Sequence, residues 1–378
     1  MRIAILNLTG GGMSGGYRKY LGNLLPRIAV LPGVEAILCV SPVQLDIFGR
    51  EKPLRNVESI IVRPKGLFGA GIKQELSACL ERYSPDVIFI PVERHFSFKG
   101  VPVVTMVQNM EPLSGVHQGN PLLEHVQHWF RARLARQGIR KAERVIAISG
   151  FVKEYLKNSC AVAEDRIGLI YYGMDTPDDI LPKMPSILPA GWNNDFIFTA
   201  GSIRPTRGLE DIFLAMRQMR KDNTPVSGLI IAGTANPNMA AYQNKLRKMT
   251  KQLGIADKVR WAGHLERGEM AWCYRNCRLF VMSSRVESFG QIALEAMSFG
   301  CVCVSADNPC LPEIFGDGAI YYPPRDSKAL AGVMTAVLSW DRAKRDEMSA
   351  RARARASQFS WDTCAEKTMS ELVKASKK

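Results

Sequence analysis

Residues Leu279–Ser305 read LFVMSSRVESFGQIALEAMSFGCVCVS, and this stretch sets the class of fold. An apolar run, Leu279–Met282, gives way to a polar loop. A helical stretch follows, and then Cys301 and Cys303 alternate with valines. The order is strand, loop, helix, strand. Ser288 with Gln291 three residues later forms a capping box, which predicts a helix starting at Phe289 with its free amides pointing into the loop. Gly300 stands where a helix commonly ends on a glycine. Exposed amides at a helix start favour an anionic group such as a diphosphate.

Working outward, the same alternation fills the chain. Apolar runs occur at Ile3–Leu8, Ala36–Val40, Val57–Val62, Val87–Pro91, Val101–Val107, Val145–Ile148 and Ile167–Tyr171. Several are continuous, as strands covered on both faces should be, and helical stretches separate many of them. Gly173–Asn194 breaks the rhythm with four prolines and reads as a linker. The alternation then restarts with a strand at Phe196–Ala200, a helix at Leu209–Met219, a strand at Gly228–Ala232 and a helix at Ala240–Leu253. Val259–Trp261, Leu279–Met282, Gln291–Phe299, Val302–Val304 and a helix at Ser327–Ser339 complete it. The expected architecture is α/β: two Rossmann-like, doubly wound domains facing across a cleft, with ligands at the carboxyl ends of the strands. The expected bounds are 1–180 for the first domain, 181–195 for the linker and 196–355 for the second. A last helix, 356–378, returns to the first domain.

Composition narrows the classes. With 46% hydrophobic and 23% charged residues in 378, the chain is globular rather than disordered. It has no secretory signal pattern and no apolar run long enough to span a bilayer, so a cytoplasmic protein is expected. Nine cysteines without a CxxC pair argue for reduced, mostly buried thiols rather than disulfides or zinc. The net charge of +14 is spread over both halves. That suits a phosphorylated substrate, an anionic membrane or nucleic acid, and the spread and the lack of a nucleic-acid motif disfavour the last.

Two carboxylates flank the helix of the opening stretch. Glu287 precedes the cap and Glu295 lies on the order of 10 Å further along the axis. That is too far for acid/base work on one bond, but suited to hydroxyls at two ends of a long ligand. On spacing alone, a helix cap plus one solvated glutamate is the plainer reading.

The stretch Glu287–Ala296, ESFGQIALEA, resembles the Glu-x7-Glu signature of the family-4 retaining glycosyltransferases, which have the GT-B fold. The resemblance implies that Glu295 binds the ribose hydroxyls of a nucleotide, that Glu287 binds the transferred sugar, and that the amides of Ser288, Phe289, Gly290 and Gln291 face the sugar and phosphates. Thr199–Gly208, TAGSIRPTRG, resembles the family's Gly-Arg-Leu-x3-Lys-Gly strand-end motif. Here Ser202 stands at the Arg position and Arg207 at the Lys position, and Arg204 is the candidate to supply the missing cation. Two guanidinium groups suit a diphosphate and the charge that grows on it as it leaves. By the same resemblance, Gly15 and Gly16, at the end of the turn Gly10–Gly16, let the backbone approach donor phosphate and acceptor. In VVTMVQNMEP, Val103–Pro112, Gln108 stands where many relatives carry a sugar-contacting His. The five histidines, His95, His117, His125, His128 and His264, read as surface or capping residues.

Leu122–Arg144 is an amphipathic helix with an apolar stripe at Leu123, Val126, Phe130 and Leu134 and six basic residues in 131–144. The plainer reading packs the stripe in the core; the other lays a basic amphipathic helix on an anionic membrane, where lipid-linked acceptors reside. Taken together, the expected protein transfers a hexose-type sugar from a nucleotide-diphosphate donor to a glycan or lipid-linked acceptor, with retention of configuration, in cell-surface polysaccharide or lipopolysaccharide synthesis. No Asp-x-Asp is present, so no obligatory metal or other cofactor is expected. A sugar-nucleotide epimerase, a phosphorylase and a non-catalytic nucleotide-sugar-binding protein are the alternatives.

Overall fold

The computed structural model describes residues 1–9, 15–41, 54–62, 72–115, 119, 122–175, 177–192 and 194–377. Residues 10–14 of the glycine-rich turn, His117, residues 176 and 193 of the linker stretch and the side chain of Leu123 lie outside them. The chain divides into two units. Unit one is Met1–Met110, Trp129–Gly173 and Ser360–Lys378; unit two is Glu111–His128 and Met174–Phe359.

Unit one is built on a seven-stranded parallel sheet of β1 (Arg2–Leu6), β2 (Ala36–Ser41), β3 (Val57–Ile61), β4 (Val87–Ile90), β5 (Val103–Val107), β6 (Arg144–Ala147) and β7 (Ile167–Leu169), in the order β3-β2-β1-β4-β5-β6-β7. Every residue of β4, β5 and β6 is buried, which explains why their sequences are apolar without alternation. Its helices include α1 (Gly15–Ile28), α2 (Ile72–Tyr83), most of α3 (Leu122–Lys141) and α4 (Gly150–Cys160). Ser149 caps α4 by accepting the Val152 amide.

Unit two carries a six-stranded parallel sheet of β8 (Phe196–Ala200), β9 (Gly228–Ala232), β10 (Val259–Gly263), β11 (Leu279–Met282), β12 (Cys303–Ala306) and β13 (Ala319–Tyr322), in the order β10-β9-β8-β11-β12-β13. Both sheets therefore wind the same way: out from a first strand to one edge, then back past it to the other. The expected α/β class with two doubly wound domains, the GT-B fold, is the one observed. Helices α5 (Leu209–Lys221), α6 (Ala240–Gln252), α7 (Arg267–Asn276), α8 (Gln291–Ser298), α9 (Leu311–Phe315), α10 (Ser327–Leu338) and α11 (Arg342–Ala356) cover the second sheet. Ile212, Phe213 and Met216 of α5 share its core with Leu330 and Met334 of α10. The last helix, α12 (Trp361–Ser376), belongs to unit one, where the Trp361 ring stacks on Tyr172 with centroids 5.9 Å apart.

Three sequence expectations are corrected. The capping box at Ser288 and Gln291 does not form. Gly290 is the N-cap, in a left-handed conformation (φ 87°) and with no side-chain cap, and α8 begins at Gln291 instead of Phe289. A left-handed glycine at that point turns the chain before Ser288 can reach the helix amides. The other end is as expected: Gly300 (φ 73°) and Cys301 donate back to Met297 and Ala296, a Schellman ending. The second correction concerns α3. Val126, Phe130 and Leu134 point to solvent, whereas Ala132, Ala135 and Ile139 are buried. Small residues face inward because the helix lies close to its neighbour: a Cβ on Gly138 would come within 2.9 Å of the Arg94 backbone. Third, His128 is neither a surface nor a capping residue. It is buried, with Nε2 3.3 Å from the carboxylate of Glu124.

Seven cysteines are buried, and Cys79 and Cys277 are half-buried. Burial pushes the thiols of Cys39, Cys273 and Cys364 up to about 12. This matches the burial of most thiols expected from the sequence.

Candidate functional site

In a doubly wound sheet, ligands bind beyond the carboxyl ends of the strands where the strand order reverses. In unit two that point lies between β8 and β11. The loop after β8 is Gly201–Gly208, and the loop after β11 is Ser283–Gly290.

Three glycines let these loops come together. Gly201 (φ 133°) and Gly233 (φ 129°) abut at the ends of β8 and β9, and a Cβ on Gly233 would strike the Gly201 carbonyl. Gly208 (φ 63°) ends the tight turn Pro205–Arg207, and a Cβ there would strike the Ser283 carbonyl. Only glycine meets both demands, a left-handed backbone and no side-chain volume. Main-chain and side-chain bonds then tie the loops. The Arg285 amide donates to the Thr206 carbonyl at 2.7 Å, and the Ser283 hydroxyl donates to the Arg207 carbonyl at 2.8 Å. Asn308 donates to the Ser284 carbonyl at 2.7 Å. Behind them, the Arg285 guanidinium meets Asp211 at 3.3 Å and Glu210 at 3.5 Å. Burial pushes the Asp211 carboxyl above its ordinary range, and the Arg285 charge opposes that shift.

This frame brings Arg207 and Glu287 into contact. The Arg207 guanidinium pairs with the Glu287 carboxylate and donates to the Ser284 hydroxyl at 3.2 Å. It passes over Gly201, where an added Cβ would come within 3.0 Å of it. A small cavity lies beside it, lined by Thr199, Gly201, Ser202, Ser283 and Ser284. Arg204 makes a different pair. Its guanidinium lies 2.5 Å from the buried carboxylate of Glu111.

On α8, Glu295 accepts a hydrogen bond of 3.1 Å from the Tyr274 hydroxyl. Tyr274 is held in turn by the stacked ring of Phe299, 5.4 Å away. Phe289 is buried edge-on against Phe359, so it anchors its loop, and Ser288 is buried beside it. Gln291 opens α8, and its buried Nε2 has no hydrogen-bond partner among the described residues. A buried donor left unmade costs free energy that a ligand oxygen at that position would recover.

The other sequence candidates lie in unit one. Gly15 and Gly16 are the first residues of α1. Gln108 follows β5; its amide donates to Glu93 at 3.3 Å and its side chain reaches the Met106 sulfur at 3.3 Å. Burial raises the Glu93 carboxyl above its usual range, against the pull of Arg94 and of the Gln108 and Asn109 amides. The sequence reading missed Glu93, Glu111, Ser284 and Tyr274. Each meets its partner only through the fold, and Tyr274 looks like an ordinary core aromatic at its place in α7.

Two family models match the chain, Glycosyltransferase Family 4 over residues 15–177 and Glycosyl transferases group 1 over residues 185–355. The chain belongs to the family-4 glycosyltransferases. Among its relatives, this family-4 member is 24% identical over 247 residues to O-antigen chain mannosyltransferase B of Escherichia coli, a match covering 64% of this chain and 63% of that one. It is 31% identical over 172 residues to D-inositol 3-phosphate glycosyltransferase of Jonesia denitrificans, covering 44% of this chain and 40% of that one. The match thus spans less than two thirds of either relative. Among solved structures, Anabaena HepE in complex with UDP-glucose superposes with a TM-score of 0.77 at 19% identity, covering 99% of this chain and 100% of that one. WaaG, a glycosyltransferase involved in lipopolysaccharide biosynthesis, gives 0.71 at 14% identity, covering 98% and 99%.

Proposed function

We propose that this family-4 protein is a glycosyltransferase that moves a hexose-type sugar from a nucleoside-diphosphate donor to a glycan or lipid-linked acceptor, with retention of configuration, in the synthesis of a cell-surface polysaccharide or lipopolysaccharide. The observation that carries the reading is the Arg207–Glu287 pair at the strand-order reversal, with Glu295 on the helix that follows. Glu295, oriented by Tyr274, holds the ribose hydroxyls. Glu287 faces the transferred sugar, and the Gln291 amide and the opening turn of α8 face polar groups of the donor. Arg207 exchanges part of its contact with Glu287 for the diphosphate and stabilises the charge that develops as the sugar–phosphate bond breaks. By the family resemblance, Arg204 is a second cation for the diphosphate, and Gly15, Gly16 and Gln108 of unit one take part in binding donor and acceptor. The departing phosphate oxygen takes the acceptor proton on the same face, so no side chain serves as general base. The names of the E. coli and WaaG relatives support a surface glycan as the acceptor class, and the UDP-glucose complex of HepE supports a nucleotide sugar as donor.

A thermal-shift panel of UDP-, GDP- and ADP-sugars tests the donor class. One base should raise the melting temperature well above the others. Free nucleoside diphosphate should then appear when a membrane extract supplies acceptor, with the same rate in the presence of a metal chelator. If no sugar nucleotide gives either a shift or turnover, the reading fails. A chelator that abolishes turnover would overturn the metal-free part alone.

Tyr274→Phe is a finer probe. It removes a hydrogen bond to a carboxylate while keeping the ring, and should weaken nucleotide affinity about tenfold with turnover at saturating donor nearly unchanged. Isothermal titration with the nucleoside diphosphate reads the effect. Wild-type affinity in this variant would mean that Glu295 needs no help from Tyr274 to hold the nucleotide.

A further inference from the structure

A cysteine pair lies behind the Tyr274–Glu295 contact. Cys277 caps the end of α7, and Cys301 follows Gly300 at the end of α8. Their sulfurs are 3.8 Å apart. Both reach the main-chain carbonyl of Tyr274, to which Cys301 donates at 3.0 Å and Cys277 at 3.6 Å. The amide that would continue the helix onto that carbonyl, Arg278, donates to Phe196 instead. The thiols therefore stand in for a missing amide. The hydroxyl of the same tyrosine reaches Glu295, and the Cys301 amide closes α8 on Ala296 beside it. One sulfur pair thus links the ends of the two helices that carry Tyr274 and Glu295.

The two thiols differ in access. Cys301 is buried, and burial pushes its thiol up, so it is slow to meet an oxidant. Cys277 is half-buried. Within electrostatic reach of it lies Arg345, whose buried Nη1 has no hydrogen-bond partner among the described residues. A half-exposed thiol near a cation is a preferred target of peroxide, and a second thiol in contact diverts the product to a disulfide.

We propose that Cys277 and Cys301 are an oxidation site, which a peroxide converts to a disulfide that weakens nucleotide binding. Hydrogen peroxide transfers one oxygen to the Cys277 sulfur, giving a sulfenic acid and one water. The Cys301 sulfur then bonds to the Cys277 sulfur as the S–O bond breaks. The hydroxide leaves with the Cys301 proton as a second water, so two thiols lose two electrons to one peroxide. The sulfurs close from 3.8 Å to about 2 Å, and the end of α7 moves with Cys277. Neither sulfur keeps a proton, so the Tyr274 carbonyl loses both donors. An unpaired carbonyl in a buried residue is costly, so the turn relaxes and the Tyr274 hydroxyl leaves Glu295. The effect on nucleotide rests on the transferase reading; the cross-link does not.

The test treats the reduced full chain with hydrogen peroxide, blocks free thiols and maps the peptides without reductant. A peptide linking Cys277 to Cys301 should appear, and dithiothreitol should remove it. Isothermal titration with UDP, GDP and ADP follows. The nucleotide that binds the reduced protein should bind about tenfold more weakly after oxidation and recover with dithiothreitol. Cys277→Ser keeps a donor for the Tyr274 carbonyl, so it should bind like the reduced wild type and ignore peroxide. Cys79→Ser, which removes the other half-buried thiol, should respond as the wild type does. In Tyr274→Phe, oxidation should add little further loss. A link between other cysteines, sulfinic acid at Cys277 without a link, or a linked protein with undiminished affinity would overturn the proposal. A protein that binds nucleotide but never cross-links would overturn this site alone. One that cross-links but binds none of the three nucleotides in either state would count against the coupling and the transferase reading together.

Discussion

Arg207→Ala should lower turnover roughly 10²–10³-fold, the loss expected when one preorganised donor to a developing anion is removed. The side chain is only 21% exposed, so its charge acts where water screens poorly. Its guanidinium is fixed by Ser284 and Glu287 before any donor arrives, so little reorganisation remains at the moment of reaction. Nucleotide affinity should fall less than turnover, because the ribose end is held from Glu295. Arg207→Lys should recover part of the loss, keeping the charge but not the two-pronged contact. Steady-state kinetics with a saturating acceptor and a thermal melt of each variant check the result together. An Arg207→Ala protein with wild-type turnover would remove the arginine from the reaction. One that is slow but melts many degrees lower would show that the loss comes from the unpaired Glu287 carboxylate disturbing the loop.

The parts of the fold that were legible in the sequence are those that local burial dictates. β4, β5, β8 and β11 are covered on both faces, so their apolar runs are continuous and strand-like. β13 went unread because Ala319–Tyr322 is four residues long and only its two ends are buried. The helix start at Phe289 was misread because the Ser–Gln spacing of a capping box and a left-handed glycine at position 290 are both local signals, and the glycine prevailed. For α3, periodicity revealed the apolar stripe but could not say which face the core would accept. The close approach of Gly138 to Arg94 decides that, and it is a long-range fact. The site divides in the same way. Arg207, Glu287 and Glu295 lie in contiguous motifs, whereas Glu111 meets Arg204 across 93 residues of chain, from separate elements, and nothing near either residue announces the other.

Arg144→Ala should destabilise unit one by about 3 kcal/mol, the low end of the cost of leaving one member of a buried ion pair behind. Arg144 opens β6 and Glu371 lies on α12. Their side chains are 11% and 7% exposed and meet at 2.5 Å. Gly168 of β7 leaves the room: a Cβ there would come within 2.7 Å of the Glu371 side chain. The cost is at the low end because Lys374, 54% exposed, also reaches Glu371 at 2.7 Å and would keep part of its charge balanced. The melting temperature should fall by several degrees, and amide exchange should speed up in β6 and α12 ahead of unit two. Replacing both partners, Arg144→Met with Glu371→Met, should restore most of the loss, since two apolar side chains leave no stranded charge. If the single and double variants melt alike, α12 is held by its apolar face and the Trp361–Tyr172 stack, and the ion pair contributes orientation without stability.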